Sequence, residues 1–335
     1  STKDPTKLQR TQIELTSNFS ITEKADLFSL PEMSSSDFID FETWLFENGY
    51  YRSRLNDVRN YPTISPVIDL LDKAAKGEIS AAEAEQQIDE FRGIDVRDDY
   101  LKYIYRPQTR QQYALSISGG NGTTGYLVSG GYDKNHNQHV TSDNDRITLR
   151  SVVNTTPLRN LNIKTTMNYA RSTANANSTL SPVAYGTLYS GGGRSFWPYL
   201  RLADDEGNPL NVDAVTYRKS FRDTVGNGHL LDWQYRPLAE LDANNQLTTV
   251  QDILLNLHTR YAFNADWSAE ALYVYQMTNT QVEDWTGIGS YAIRETINSF
   301  SKWNDSGVIA TPVPVGDRMS RFYDNVRSNT LRAQV

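Results

Sequence analysis

The chain has 335 residues and a formal charge of −7, from 33 basic and 40 acidic side chains with no concentrated Lys/Arg patch, which argues against nucleic acid as a partner. It contains no cysteine, which excludes a disulfide framework and thiolate metal sites, and no apolar run approaches the ~20 residues of a membrane-spanning helix. Only 38% of residues are hydrophobic, yet there are 20 Tyr and 6 Trp, a balance that suits amphipathic β-strands better than a helical enzyme.

The opening stretch, STKDPTKLQR, is not a signal peptide. The first predicted strand spans 11–22, with Ile13, Leu15, Phe19 and Ile21 in phase. Strands over 110–118 and 124–133 flank a Gly-Asn-Gly turn and read as an antiparallel hairpin. Tyr113, Leu115 and Ile117 share one face of that hairpin, against Gln112, Ala114 and Ser116 on the other. Further strands are predicted over 145–155, 161–171, 253–263, 267–278 and 329–335, by the same alternation. Their polar sides carry Arg146, Arg150, Lys164, His258, Arg260 and Glu270.

Short and long connections alternate along this series. Tight turns follow the second, fourth and sixth strands, whereas 23–109, 134–144, 172–249 and 280–328 are longer. In an up-and-down meander every tight turn then falls at one rim and every long loop at the other. That asymmetry belongs to outer-membrane barrels, and it predicts an all-β fold, a transmembrane antiparallel β-barrel with long, partly helical extracellular loops. The apolar faces would meet acyl chains, and the six polar-side residues above would face a hydrated lumen. Trp267 and Phe263 beside a tight turn, and Tyr273 and Tyr275 toward the opposite strand end, fit interfacial aromatic girdles. The competing reading of the strand pattern is a half-exposed sheet of a soluble protein. A propeller would show a blade-length repeat, and none is found.

In the first loop, Ser36 is placed to cap a helix running to Gly49, Pro66 opens a second that ends at Gly77, and Ser80 with Glu83 forms a capping box before a third ending at Gly93. In the third loop, Phe196, Trp197 and Tyr199 beside Gly191–Gly193 make the candidate ligand site. Their rings can stack on sugar or peptide surfaces, with Arg194 and Arg201 to hold carboxylates or hydroxyls. The bland alternative is burial of large rings in loop packing. Asp204, Asp205 and Asn208 supply oxygen ligands for calcium, but their spacing is that of a turn, so no metal is expected. His136 and His139 have no third ligand and read as a polar hairpin loop. No Gly-x-Ser-x-Gly elbow, Cys nucleophile or phosphate loop is present, so neither an enzyme nor a cofactor is expected.

Several runs carry a family resemblance: LFSLPEMSSSDFIDFETWLFENGYY, IDVRDDYLKYIYRPQTRQQYALSISGG, YLVSGGYDKN, NDRITLRSVVNTTPLRNLNIKTTMNYARS, PYLRLADDEGNPL and SNTLRAQV. Together, in this order, they resemble the region after the plug in SusC/RagA-type TonB-dependent outer-membrane transporters of Bacteroidetes. The resemblance implies a barrel of 22 strands around a plug, active import of oligosaccharides or peptides, a SusD-like surface lipoprotein as partner, and energy from TonB–ExbB–ExbD. Neither a Ton box nor a plug lies among these residues, so the expectation is a barrel segment of a longer polypeptide. Two other functions stay open: a non-transporting structural subunit of an outer-membrane assembly, and a surface glycan-binding β-protein.

Overall fold

The computed structural model describes residues 10–29, 31–177, 197–213 and 217–335. In chain order the long strands are β1 (Gln12–Thr22), β2 (Gln108–Gly120), β3 (Thr124–His136), β4 (Asp143–Leu158), β5 (Leu161–Ala176), β6 (Asn244–Ala262) and β7 (Ser268–Thr286). A small hairpin of β8 (Lys302–Asn304) and β9 (Gly307–Ala310) precedes the last long strand, β10 (Arg318–Gln334). The eight long strands form one antiparallel sheet in the order β1-β2-β3-β4-β5-β6-β7-β10. Each therefore pairs with its predecessor, apart from the excursion through β8 and β9, and β1 and β10 stand at the two edges.

The tight turns are built from local hydrogen bonds. Gly122 takes a positive φ of 90° between β2 and β3, and Asn121 Oδ1 accepts the amide of Thr124 at 2.9 Å. Between β6 and β7, Asn264 Oδ1 accepts the amides of Asp266 and Trp267, both at 2.9 Å. At the other rim the strands run further than alternation suggested: β6 begins at Asn244 and β10 at Arg318. The ladder from Asn244↔Thr286 to Ala262↔Ser268 is unbroken although its long-loop part is mostly polar on both faces. Alternation reports a contrast between two environments, and where both faces are polar the backbone goes on pairing without it.

Cross-strand register collects one apolar face. Ile117, Val128, Ser151, Met167, Leu255 and Tyr275 are successive partners, and so are Leu115, Gly130, Leu149, Tyr169, Ile253 and Met277. Nothing among the described residues covers this face, since even on inner strands Leu149 is 52% and Leu257 42% exposed. At its tight-turn side Tyr126 lies across Gly119 and reaches the hydroxyl of Thr11 at 2.9 Å; a Cβ at Gly119 would stand 2.7 Å from the Tyr126 hydroxyl.

The apolar band does not follow the hydrogen-bonded rows. Its long-loop edge is marked in strand order by Ile21, Tyr113, Tyr132, Ile147, Tyr169, Ile253, Met277 and Leu331. Tyr113, Tyr132 and Ile147 are level, as are Tyr169, Ile253 and Met277. In between, the edge drops: Ile21 pairs with Thr109 rather than Tyr113, Ile147 with Arg171 rather than Tyr169, and Met277 with Arg327 rather than Leu331. The descent is about ten residues over seven strand-to-strand steps. At ~3.3 Å per residue and ~4.8 Å between strands, this inclines the strands by roughly 45° to the band's normal, close to the tilt of barrel strands.

The long loops fold on one another. The first holds α1 (Ser35–Glu47), α2 (Arg52–Leu55), α3 (Pro66–Ala75), α4 (Ala81–Arg92) and α5 (Val96–Asp99), then a wide turn, Tyr100–Ile104, that enters β2. The third holds α6 (Lys219–Thr224) and α7 (Glu240–Ala243), and the fourth α8 (Tyr291–Phe300). The cap of α1 is Ser34, not Ser36: its hydroxyl accepts the Asp37 amide at 3.1 Å and donates to the Asp37 carboxylate at 2.7 Å. Ser80 caps α4 as its sequence suggests, and Ser65, just before Pro66, caps α3. Ile39, Val67, Ile88 and Tyr100 from the first loop pack with Trp197, Tyr199, Leu202 and Trp233 from the third and Tyr291 from the fourth. The protein's apolar core therefore lies in this loop cap at one rim, not against the sheet.

Candidate functional site

Two places concentrate polar chemistry: the sheet face opposite the apolar band, and the loop cap. Register puts Arg146, Arg150, Lys164, His258, Arg260 and Glu270 all on that opposite face, because each pairs in phase with polar-side neighbours. Arg146 stands opposite Asp133. Arg150 donates to the Asn168 amide oxygen at 3.3 Å. Nearer the tight turns the other four meet: Lys164 pairs with His258, and Arg260 pairs with Glu270. The Glu270 carboxylate lies 3.4 Å from His258 Nε2 and 3.3 Å from Arg260 Nε, and accepts from Gln334 Nε2 at 3.1 Å. Arg332 in turn donates to Gln334 at 3.0 Å. Beside Glu270, a depression of about 140 Å³ opens between His258, Leu272 and Arg332. One carboxylate among several cations leaves this end of the face electropositive, a setting that suits carboxylate or hydroxyl groups.

The third-loop candidates fare differently. Phe196 and Arg194 lie outside the described residues. Trp197 and Tyr199 are 7% and 1% exposed and belong to the cap core, where protein covers their faces. The reason is local stitching: the Val96 amide donates to the Pro198 carbonyl at 2.7 Å, and the Leu202 amide to the Asp99 carboxylate at 2.6 Å, drawing the segment under α5. Arg201 is engaged with Asp205 at 2.6 Å. Asp204 accepts the backbone and side-chain N–H groups of Asn208 at 2.7 and 2.8 Å, and these bonds hold its pKa below the usual carboxylate range. The oxygens of Asp204, Asp205 and Asn208 thus serve a turn and an ion pair rather than converging on a cation. His136 faces Asp143 at 2.7 Å, which Arg106 also reaches at 2.5 Å, while His139 is buried with Nδ1 2.9 Å from the Thr141 hydroxyl.

Two buried carboxylates escaped the sequence reading. Glu42, 1% exposed in α1, accepts the Tyr199 hydroxyl at 2.5 Å and so joins the first loop to the third. Burial pushes its pKa up from 4.5 to about 7, a rise only partly offset by the Tyr199 and Ser65 hydroxyls. Its signal was readable: Glu42 falls on the same stripe of α1 as Ser35 and Ile39, the two other buried positions of that helix. Glu240 accepts the Ser290 hydroxyl at 2.8 Å, the Tyr291 amide at 2.5 Å and the Asn244 side chain at 3.0 Å, tying the start of α8 to the start of β6. No local pattern announces that role, since Ser290 and Tyr291 lie in a distant loop. Around the same point, Asn177 Nδ2 sits 2.9, 2.8 and 2.8 Å from the carbonyls of Glu240, Leu241 and Asn244.

No protein-family model and no curated protein matches the chain. Solved structures do. The chain superposes on the RagAB peptide importer in its closed-closed state with a TM-score of 0.58 at 15% identity, over 99% of this chain and 33% of that one. The open-open state gives 0.57 at 16% identity, over 99% and 33%. A further structure of the RagAB peptide transporter gives 0.54 at 16% identity, over 84% and 29%. The chain spans about a third of the length of the structures it matches, and at this identity the likeness is one of fold.

Proposed function

We propose that this chain is a wall segment and loop cap of a SusC/RagA-type TonB-dependent outer-membrane transporter, one that imports a large nutrient, an oligosaccharide or a peptide. The observation that carries the reading is the uncovered apolar band, crossed obliquely by the strands, with tight turns on one side and a folded cap on the other. An apolar face of this extent, open on inner strands, needs a low-dielectric neighbour, and acyl chains supply one. Further strands pairing with the free edges of β1 and β10 would close the barrel. The polar face then borders the hydrated passage, and the residues around Glu270 meet solute near the tight-turn end.

A SusD-like surface lipoprotein fits the outer side of the cap. There Phe41 and Trp44 stack at 6.2 Å on the exposed face of α1, 46% and 56% exposed. Energy would come from TonB–ExbB–ExbD through a plug, and the reading includes no catalytic step. The test uses the full-length protein in a Gram-negative host. It should fractionate with the outer membrane, and uptake of a labelled oligosaccharide or peptide mixture should stop when TonB is deleted. Correct assembly with no TonB-dependent uptake of either class would contradict the import reading and favour a structural subunit.

A further inference from the structure

The apolar face ends abruptly toward the long loops, and what stands just beyond its edge is chemically selective. The first residues past the edge on that same face are Gln111 in β2, Lys134 in β3, Asp145 in β4, Arg171 in β5, Gln251 in β6 and Asn279 in β7; in β10 they are Asn329 and then Arg327. Lys134 and Arg171 are the cations of this first row and Asp145 its acid; Arg327, one place further along β10, lies level with Met277 at the band's edge in β7. Lys134 stands opposite Asp145. Arg171 has Ile147 and Gln251 as its cross-strand partners, and Arg327 has Met277, so neither faces a carboxylate in register. Both are exposed, and neither forms an ion pair among the described residues. Arg321, further from the band in β10, does find an acid, Glu283 at 3.0 Å.

Exposed arginines without an acid, set at the margin of an apolar band, are placed where the headgroups of a bilayer begin. A guanidinium there offers a planar fork of N–H donors that matches two oxygens of a phosphate, while its aliphatic stem lies along the apolar surface. We propose that Arg171 and Arg327, assisted by Lys134, bind the phosphate groups of lipids in the leaflet at the long-loop side. The inference rests on reading the apolar face as lipid-facing. Because β5 and β10 are three strand spacings apart, about 14 Å, the two arginines cannot share one phosphate and each takes its own headgroup. The occupant is the membrane's phosphorylated lipid rather than a soluble anion, since both arginines stand in register with apolar residues at the band's edge, Ile147 and Met277.

The test is lipid retention by the full-length protein, reconstituted in vesicles of phosphatidylcholine alone or of phosphatidylcholine with diphosphorylated lipid A. After gentle detergent extraction, bound lipid is counted by native mass spectrometry. Wild type should retain several-fold more lipid A than the double variant Arg171→Gln/Arg327→Gln. Arg171→Lys/Arg327→Lys should keep a substantial part, and Arg150→Gln, which removes a charge from the opposite face, should match wild type. Equal retention by wild type and the Gln double variant, with both inserted in the vesicles, would overturn the proposal and leave the lipid-facing assignment intact. Failure of wild type to insert into phosphatidylcholine would overturn that assignment, and this proposal with it.

Discussion

At the scale of single residues, Glu42 makes the clearest prediction. Its carboxyl holds a proton up to about pH 7 in the cap, whereas an unfolded chain releases it near 4.5. A raised folded-state pKa means the cap keeps its full contribution below pH ~4.5 and loses it as pH rises through 7, by about 3 kcal/mol in all. Hydrogen-exchange protection across α1 and α3, corrected for the intrinsic base-catalysed rise in amide exchange, should therefore fall between pH 5 and 8. Glu42→Gln should flatten that dependence, and an unchanged slope in the variant would refute the assignment. At Glu240 the cost is of another kind. Glu240→Ala leaves the Ser290 hydroxyl and the Tyr291 amide without their buried acceptor, at about 2–4 kcal/mol, and should raise exchange locally over Tyr291–Phe300. Both carboxylates belong to the part of the protein that its sequence showed least well. Glu42 lay on a legible stripe, but Glu240 and the burial of Trp197 depend on contacts between loops far apart in the chain, to which no period or spacing refers.

Among the elements, the strands were legible because a period of two survives wherever the two faces meet different surroundings. Ile13 and Leu15 in β1, Leu255 and Leu257 in β6, and Tyr273 and Tyr275 in β7 stand on one face, as their alternation required. The long-loop ends of β6 and β7 were not legible, since both their faces are mostly polar, and in β10 Met319 and Tyr323 on one face against Phe322 and Val326 on the other leave no contrast to read. The facing of β6 has its own test. Leu257→Arg puts a charge on the apolar band and should cost on the order of 2–4 kcal/mol in a bilayer, whereas His258→Arg on the opposite face should cost little. Reversible unfolding in vesicles measures both; equal costs would contradict the facing. In the cap α1, α3 and α4 were legible from their serine or proline starts and glycine stops, apart from the shift of the first cap to Ser34, where the reciprocal bond with Asp37 decides the boundary; the other helices, α8 among them, were not.

For the whole molecule, one asymmetry organises everything else. The residues that would form the core of a soluble protein are divided here: those of the loops bury one another at one rim, and those of the strands stay uncovered along an inclined band. Order of elements and alternation of loop lengths predicted the meander, but the inclination of the band became visible only with the register. These 335 residues hold no cysteine, so once any cysteine elsewhere in the full-length protein is replaced, single cysteines can be introduced here without background. The most direct measurement is labelling by a membrane-impermeant maleimide of cysteines placed one at a time from Leu254 to His258 in the full-length protein in lipid vesicles. Cysteines at 255 and 257 should stay unlabelled and be quenched by brominated acyl chains when carrying a fluorophore, while those at 254, 256 and 258 should label. Labelling of all five alike, or quenching on neither set, would contradict a lipid-facing band.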